Sequence, residues 1–226
     1  VEDTGAESIA GTGARSIAAG GSIIDEGVST AAGTGTAPDA VFVTSAAAGM
    51  GAIVIDGVDS SMTPVTLAHS FAGEIRLDTD PGDAGTHSDI TFVAGSTGAN
   101  LTLNEVNGQN VTITAIGGDG IVDSTTATQQ IAGTATYNAI GAIILDNTAN
   151  VFDGAVNVDA DFDNNLVAAA IEIAGTGNIT LGAIDATTLD VTTTGTLTQA
   201  AGGNTATGTT SLTATNDIDL DGTNTL

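Results

Sequence analysis

The chain contains no cysteine, no tryptophan and no lysine. Without cysteine there is no disulfide, no thiolate metal site and no cysteine nucleophile, although many secreted bacterial proteins also lack disulfides. The absence of lysine excludes a phosphate-binding P-loop. Apolar runs such as AIVI at 52–55 are only as long as a strand, whereas a membrane-spanning helix needs roughly 18 apolar residues. We therefore expect no direct membrane insertion.

Positive charge is almost absent as well. The chain has 27 acidic residues against Arg15 and Arg76, which gives a formal net charge of −25. Nucleic acids are bound by Lys and Arg that displace counterions, and anionic lipids also attract basic segments. The composition therefore excludes nucleic acid as a partner and disfavours anionic membranes. Cations are the expected companions of such a surface.

Aromatic residues make up only 3% of the chain, whereas 41% of the residues are hydrophobic. An acidic chain with this apolar content is expected to fold rather than to stay disordered. Its core must consist mainly of Ile, Val, Leu and Ala. These small aliphatic residues suit a narrow and regular interior.

Apolar residues recur at every second position in many short segments, such as NVTIT at 110–114 and DIDLD at 217–221. This period predicts strands whose alternate side chains point to opposite faces. Gly-, Asn- and Asp-rich corners separate the segments, as sharp turns require. NLVAAAIEIAG at 165–175 is the one segment for which a short helix is an alternative.

Apolar anchors recur along the chain at steps of eight to ten residues. The anchors are Leu101, Val111, Ile121, Ile131, Ile171, Ile179, Leu189 and Leu197. Two or three such steps give a rung of about 20 to 30 residues, which is typical of a solenoid. The sequence therefore predicts an all-β fold, a parallel β-helix (β-solenoid). Tandem β-sandwich domains are the alternative, although their cores usually contain large aromatic residues.

The repeating strands occupy residues 89–226, and residues 1–88 form an Ala- and Gly-rich β region. We expect this first part to be a cap or a differently shaped set of rungs, continuous with the second. The chain begins with Val1 rather than Met, so we expect a processed product or a piece of a longer protein.

The segment 175–226 contains GNITL, TLDVTTTGTLTQAAGG and NDIDLDG, and 98–120 reads GANLTLNEVNGQNVTITAIGGDG. These strands with Gly-rich corners resemble the repeats of filamentous haemagglutinin-like, two-partner-secreted adhesins of bacterial surfaces. The resemblance covers most of residues 89–226. It implies a right-handed parallel β-helix at a bacterial surface, and it identifies an architecture better than a partner.

Two acidic loops are candidate calcium sites, because Ca²⁺ takes about six to eight oxygen ligands from carboxylates, carbonyls and water. The candidate ligands are Asp78, Asp80, Asp83 and Asp89 in the first loop, and Asp159, Asp161 and Asp163 in the second. Neither loop has EF-hand spacing. GGDGIVD at 117–123 is similar to half of a nonapeptide calcium repeat, but it has no second copy. Solvated acidic loops are the simpler interpretation of both segments, and Ca²⁺ is the one candidate cofactor.

Catalytic motifs are scarce. His69 and His87 lie in no recognised nucleophile motif. A polysaccharide-cleaving β-helix enzyme is an alternative, with its groove at Arg76 beside Asp78 and Asp80. The alternation of EIRLD at 74–78, however, more simply indicates a solvated charged face.

Two further motifs have simple explanations. NLT, NVT and NIT, from Asn100, Asn110 and Asn178, match glycosylation acceptors, but Asn at a corner followed by an outward Thr explains them equally well. Thr-x-Thr pairs such as Thr112/Thr114 are similar to ice-binding faces, which makes an ice-binding solenoid another alternative. Thr is favoured on outward strand positions in any case.

We therefore predict a non-enzymatic, extracellular or cell-surface structural protein, a segment or subunit of a surface filament, sheath or adhesin. A calcium- or glycan-binding adhesin module is the alternative. Expected partners are other copies, adjacent segments of a longer chain, or glycans of a neighbouring cell surface. The acidic face would oppose lateral aggregation of flat parallel sheets.

Overall fold

The computed structural model of the chain describes residues 74–79, 87–95, 100–116, 120–162, 169–200 and 203–225, together with short strands before residue 74. The described residues form 24 strands and no helix. Residues Ala170–Gly175 are a strand, so the short helix considered at 165–175 is wrong for these residues. Its first residues, 165–168, lie outside the described part.

The strands belong to three sheets. Sheet I contains, in spatial order, β1 (Glu2–Asp3), β4 (Ile23–Asp25), β7 (Ile53–Ile55), β10 (Ile90–Gly95), β12 (Val111–Ile116), β14 (Ala135–Ala139), β17 (Ala155–Asp159), β19 (Ile179–Ala186), β21 (Leu197–Gln199) and β24 (Ile218–Asp219), with β22 (Asn204–Ala206) also paired to β19. Sheet II contains β3 (Arg15–Ala19), β6 (Ala40–Thr44), β9 (Glu74–Asp78), β11 (Leu101–Gly108), β13 (Ile121–Ile131), β15 (Ile143–Leu145), β18 (Ala170–Gly175), β20 (Thr188–Thr193) and β23 (Thr210–Ala214), with β16 (Val151–Phe152) also paired to β13. Sheet III contains β2 (Glu7–Ser8), β5 (Ser29–Ala31) and β8 (Ser70–Phe71).

All neighbours in sheets I and II are parallel, and successive strands of the chain mostly alternate between the two sheets. The chain therefore coils, and each coil stacks on the one before it. This arrangement confirms the parallel β-solenoid and shows that the antiparallel β-sandwich alternative is wrong. The handedness of the coil stays a prediction.

The apolar anchors explain the observed rung length. Leu101 pairs with Ile121 in sheet II, and Ile179 pairs with Leu197 in sheet I. Most neighbouring anchors therefore lie in different sheets and every second one stacks, as Leu101 does on Ile121 and Ile171 on Leu189. Ile121 and Ile131 are an exception, because both belong to β13. The ten-residue step is half a rung. Corner hydrogen bonds join residues 18, 21 or 24 positions apart, so the rung length varies with the corner.

The interior between sheets I and II is narrow and aliphatic, as predicted. Its buried hydrophobic residues are Ile, Val, Leu and Ala, apart from three aromatic side chains, Phe92, Tyr137 and Phe152. Alternation along each strand produces this core: in β17, for example, Val156 and Val158 are buried and their neighbours are half-buried. Burial of such side chains contributes about 25 cal/mol per Å² of apolar surface.

One irregularity in sheet II positions the site described below. Leu103 pairs with Asp123, whereas Glu105 pairs with Thr128, so β13 contains extra residues between these positions. On the next rung the strand is interrupted between β15 and β16 by residues 146–150, here called the 146–150 loop. The backbone of this loop turns on Asn147, whose carbonyl and side chain accept hydrogen bonds from Asn150 N at 3.0 Å and Ala149 N at 2.9 Å.

Strands from the first third of the chain continue the same sheets. β6 pairs with β9, and β7 pairs with β10. Sheet III is formed entirely by strands within residues 1–88. The division of the chain at residue 88 stays a prediction.

Candidate functional site

Arg76, on the outer face of β9, is neutralised by two acids. Its Nη2 lies 2.8 Å from Oδ2 of Asp78, and its Nε lies 3.0 Å from Oε2 of Glu105 on the next rung. Asp78 is only 1% exposed, so the prediction of a solvated face is wrong for this residue. Asp80, the other acid expected beside Arg76, lies outside the described residues. The contacts show a structural ion cluster that joins two rungs.

The first candidate calcium loop is only partly described. The Asp78 carboxylate contacts Arg76, and Asp89 Oδ1 accepts hydrogen bonds from N and Nδ2 of Asn110, at 3.1 and 2.9 Å. Asp80 and Asp83 lie outside the described residues. His87 is half-buried, and His69 also lies outside them.

The second candidate loop brings carboxylates together across rungs. Asp159 Oδ1 accepts a hydrogen bond from Asp161 N at 2.9 Å, and Asp159 pairs with Asp185 on the next rung. Desolvation, with Asp159 and Asp161 nearby, raises the pKa of Asp185. Asp163 lies outside the described part. Among the described residues no group of three or more His, Asp or Glu side chains could hold a metal ion, and the calcium sites stay a prediction.

The asparagines of the three Asn-x-Thr motifs hold the corners of the solenoid. Asn100, Asn110 and Asn178 directly precede β11, β12 and β19. Each amide oxygen accepts a hydrogen bond from a backbone N–H one rung later, at 3.1 Å from Gly120, 3.1 Å from Thr134 and 2.9 Å from Thr196. These contacts confirm the corner interpretation. They also show how rungs are joined by side chains as well as by sheet hydrogen bonds.

The outward threonines do not form an uninterrupted array on sheet I. Thr112 pairs with Thr136, but Thr114 pairs with Asn138, which in turn pairs with Asp159. On three successive rungs, this outward column therefore presents a hydroxyl, an amide and a carboxylate. This mixed polar surface differs from the flat threonine ranks that the ice-binding alternative needs.

A shallow groove of about 210 Å³ lies on the outside of sheet II. It is lined by Asp146, Thr148, Glu172, Ile173, Ala174, Asp190 and Thr192. Glu172 and Asp190 are register partners on β18 and β20, and the 146–150 loop forms the opposite wall. Three carboxylates therefore face a groove with a small apolar floor, and the sequence analysis did not single out any of them.

A buried acid lies behind this groove. Asp123 occupies an inner position of β13, level with Leu103 below it and in a column of aliphatic side chains, and it is only 9% exposed. Its carboxylate accepts hydrogen bonds from Asp146 N at 3.2 Å, Asn147 N at 3.3 Å and Asn150 Nδ2 at 2.8 Å. Burial raises the pKa of Asp123. The two-residue alternation of IVD at 121–123 could have predicted this burial, because Asp123 falls on the same strand face as the buried Ile121.

Asn150 connects this acid to the bulged strand. It is fully buried, and its Oδ1 accepts a hydrogen bond from Gln129 N at 2.9 Å. The Gln129 side chain is also fully buried, and neither its Oε1 nor its Nε2 has a hydrogen-bond partner among the described residues. The same holds for the Tyr137 hydroxyl. Burial and the nearby Asp123 raise the pKa of Tyr137, which keeps the phenol neutral.

Mild acidification should stabilise this fold. The folded-state pKa values of Asp123 and Asp185 are raised above the usual 3.8, so the folded state binds protons more readily than the unfolded state. Stability therefore rises as the pH falls towards the unfolded value. We expect a higher Tm at about pH 5 than at pH 7 by circular dichroism, and a smaller gain in Asp185→Asn. A Tm that falls over this range would contradict the assignment.

A family model for repeats of unknown function matches residues 83–159 and 168–226, which together are more than half of the chain. The chain belongs to this repeat family, DUF5649. The first DUF5649 segment contains the strands from β10 to β17, and the second contains those from β18 to β24. The groove lies across their junction, because Asp146 belongs to the first segment and Glu172 and Asp190 to the second.

Neither a curated protein nor a solved structure matches the chain. Within the described residues, no helix is long and apolar enough to cross a membrane. The DUF5649 match thus supplies a repeat class, and any statement of function depends on the geometry above.

Proposed function

We propose that this DUF5649 chain is a non-enzymatic structural segment of an extracellular surface filament, sheath or adhesin. The proposal rests on the polar contacts that join one rung of the solenoid to the next. Sheet hydrogen bonds, corner asparagines and the Arg76 ion cluster all run from one rung to the next. A stack of this kind is stiff along its axis and presents a long, repetitive outer surface.

The charge of the outer surface supports an interfacial role. No Lys or Arg follows Arg76 in the sequence, and the acids of the groove and of the Asp159–Asp185 pair face outwards. Like charge opposes side-by-side association of parallel sheets, and divalent cations or salt reduce that repulsion. Self-association with other copies or with neighbouring segments would then depend on cations. The resemblance to haemagglutinin-like adhesin repeats is consistent with this role.

A binding module of an adhesin is the second candidate. The groove across the junction of the two DUF5649 segments favours it, because its carboxylates and threonines can accept hydrogen bonds from sugar hydroxyls or contact a calcium ion. An adhesin module of this kind would require a glycan on a neighbouring cell as its partner.

Negative-stain electron microscopy of the purified chain, with and without millimolar Ca²⁺ at low and high salt, tests the structural proposal. We expect filaments or sheets that form with Ca²⁺ or high salt and disperse on chelation or dilution. A variant carrying Asp217→Asn, Asp219→Asn and Asp221→Asn should associate at lower salt, because a row of exposed charges has been removed.

Separate rods under every condition would contradict self-association and favour the binding module. Glycan-array binding that is lost in Glu172→Gln but retained in Asp153→Asn, an exposed acid outside the groove, would then assign the groove to that function.

A further inference from the structure

One rung of the solenoid has a polar interior. Asp123, Gln129 and Tyr137 lie at inner positions of the rung formed by β13 and β14. Their register partners on the preceding rung are apolar, namely Leu103, Val106 and Ile113. An apolar layer would be expected here as well, since burying polar groups costs free energy unless they are hydrogen-bonded. The hydrogen bonds of this layer therefore need to be accounted for.

The Gln129 side chain has its whole hydrogen-bonding capacity to satisfy. Its amide has two N–H donors and two acceptor lone pairs. The side chain is fully buried, and neither Nε2 nor Oε1 has a hydrogen-bond partner within the described part of the chain. The nearby amide of Asn150 accepts from the backbone N–H of Gln129 and donates to Asp123. Where no protein group is available, buried water usually supplies the partner.

The Tyr137 hydroxyl faces the same layer from sheet I. It is fully buried and makes no hydrogen bond to any described residue. Asp123 is the charged group that acts on the phenol. Its carboxylate accepts three N–H donors, whereas a carboxylate has about four lone-pair sites. One acceptor site of Asp123 is therefore left for a further donor.

The rung that contains these groups is longer than the rung before it. Leu101 and its register partner Ile121 are 20 residues apart, whereas Ile121 and its partner Ile143 are 22 residues apart. The additional length lies in β13, where residues 124–127 are opposite Asn104 alone. A longer perimeter can enclose a wider cross-section. A buried water needs only a small polar cavity and about two to four partners.

We propose that the interior of the β13–β14 rung binds ordered water, which hydrogen-bonds to the Gln129 side chain and bridges the Tyr137 hydroxyl to the Asp123 carboxylate. The donors and acceptors match. The neutral phenol donates its O–H to the water oxygen, and the water donates one O–H to Asp123. Its other O–H is available to Gln129 Oε1, which gives about three hydrogen bonds, as is usual for buried water. This water site would exist whether or not the chain assembles.

Oxygen-17 magnetic relaxation dispersion on the full chain, over a range of temperatures, tests the site. It detects the oxygen of waters held for longer than the tumbling time of the protein, so exchange of the Tyr137 hydroxyl proton does not contribute. We expect a dispersion from long-lived water in the wild type and a smaller amplitude in Gln129→Leu and in Tyr137→Phe. In the matched control Gln130→Leu, at the neighbouring exposed position of β13, the amplitude should be unchanged. A wild type without long-lived water, or equal amplitudes in all four proteins, would overturn the proposal.

The sign of the stability change separates a hydrated layer from a dry one. If water completes the hydrogen bonds, Tyr137→Phe removes one of them and should lower the folding equilibrium constant about two- to tenfold in urea denaturation. Gln129→Leu should change the constant in the same direction. If the layer is dry, both substitutions remove a desolvated polar group and raise the constant, and that result would refute the water site. If neither variant folds, the relaxation measurement on the wild type decides the matter.

Discussion

Gly195→Ala should lower the free energy of unfolding by about 1–3 kcal/mol or more. A Cβ added at Gly195 would lie 2.2 Å from Gly177 O and 2.4 Å from Gly177 C on the neighbouring rung. Both contacts are with backbone, so no side-chain rotation can relieve them, and the rungs would have to separate locally. Urea denaturation followed by circular dichroism measures the loss.

Gly177→Ala is the matched control for this prediction. Gly177 has a φ of +80°, and a Cβ there would meet nothing within 4 Å. Its substitution should cost roughly 1–2 kcal/mol from the left-handed backbone conformation alone, and Gly177→Asn should cost less, because Asn tolerates that conformation. Should Gly195→Ala prove no more harmful than Gly177→Ala, close rung stacking at this corner would not limit stability.

Asn150→Ala should be among the most destabilising single changes, with an expected loss of about 2–6 kcal/mol. The substitution removes the 2.8 Å hydrogen bond to the Asp123 carboxylate and the acceptor of Gln129 N. Both groups are buried, so water does not readily replace the lost partner. The cost therefore includes the desolvation of a charge and of a backbone donor. Chemical denaturation followed by circular dichroism measures the loss.

Asn110→Ala removes an amide with a similar number of contacts at an exposed corner. Asn110 donates to Asp89 and accepts from Thr134 N at 3.1 Å, and water can replace both contacts. We expect a loss of about 1 kcal/mol. Equal losses of unfolding free energy for Asn150→Ala and Asn110→Ala would show that the burial of Asn150 and Asp123 adds nothing to the cost of losing the hydrogen bonds themselves.

Much of the fold could be predicted from local pattern. Period two in segments such as NVTIT, together with Gly- and Asn-rich corners, leads to short strands and turns, and the absence of large aromatics leads to a thin aliphatic core. The spacing of the anchors predicted that Leu101 and Ile121 are separated by about one rung, and the two residues are register partners on adjacent rungs. The corner asparagines could also be predicted, because each directly precedes a strand.

The candidate site was much less accessible from the sequence. Asp78 was expected to be on a solvated face, and it is buried against Arg76. Asp123 was considered only as part of a calcium motif, and it is held by three N–H donors within the wall. Asn150 and the groove carboxylates were not singled out at all. Each of these placements depends on which residue of another rung lies alongside.

The sequence by itself therefore determined the class of structure: all-β, strands of a few residues, a repeating coil and an acidic exterior. Those properties depend on side-chain alternation and turn chemistry, which act over a few residues. Only the tertiary structure decided which rungs meet, where β13 bulges, and which acids are buried. Rungs of unequal length stack by backbone register, and one extra residue in a corner or a bulge moves every later side chain relative to its neighbour on the next rung.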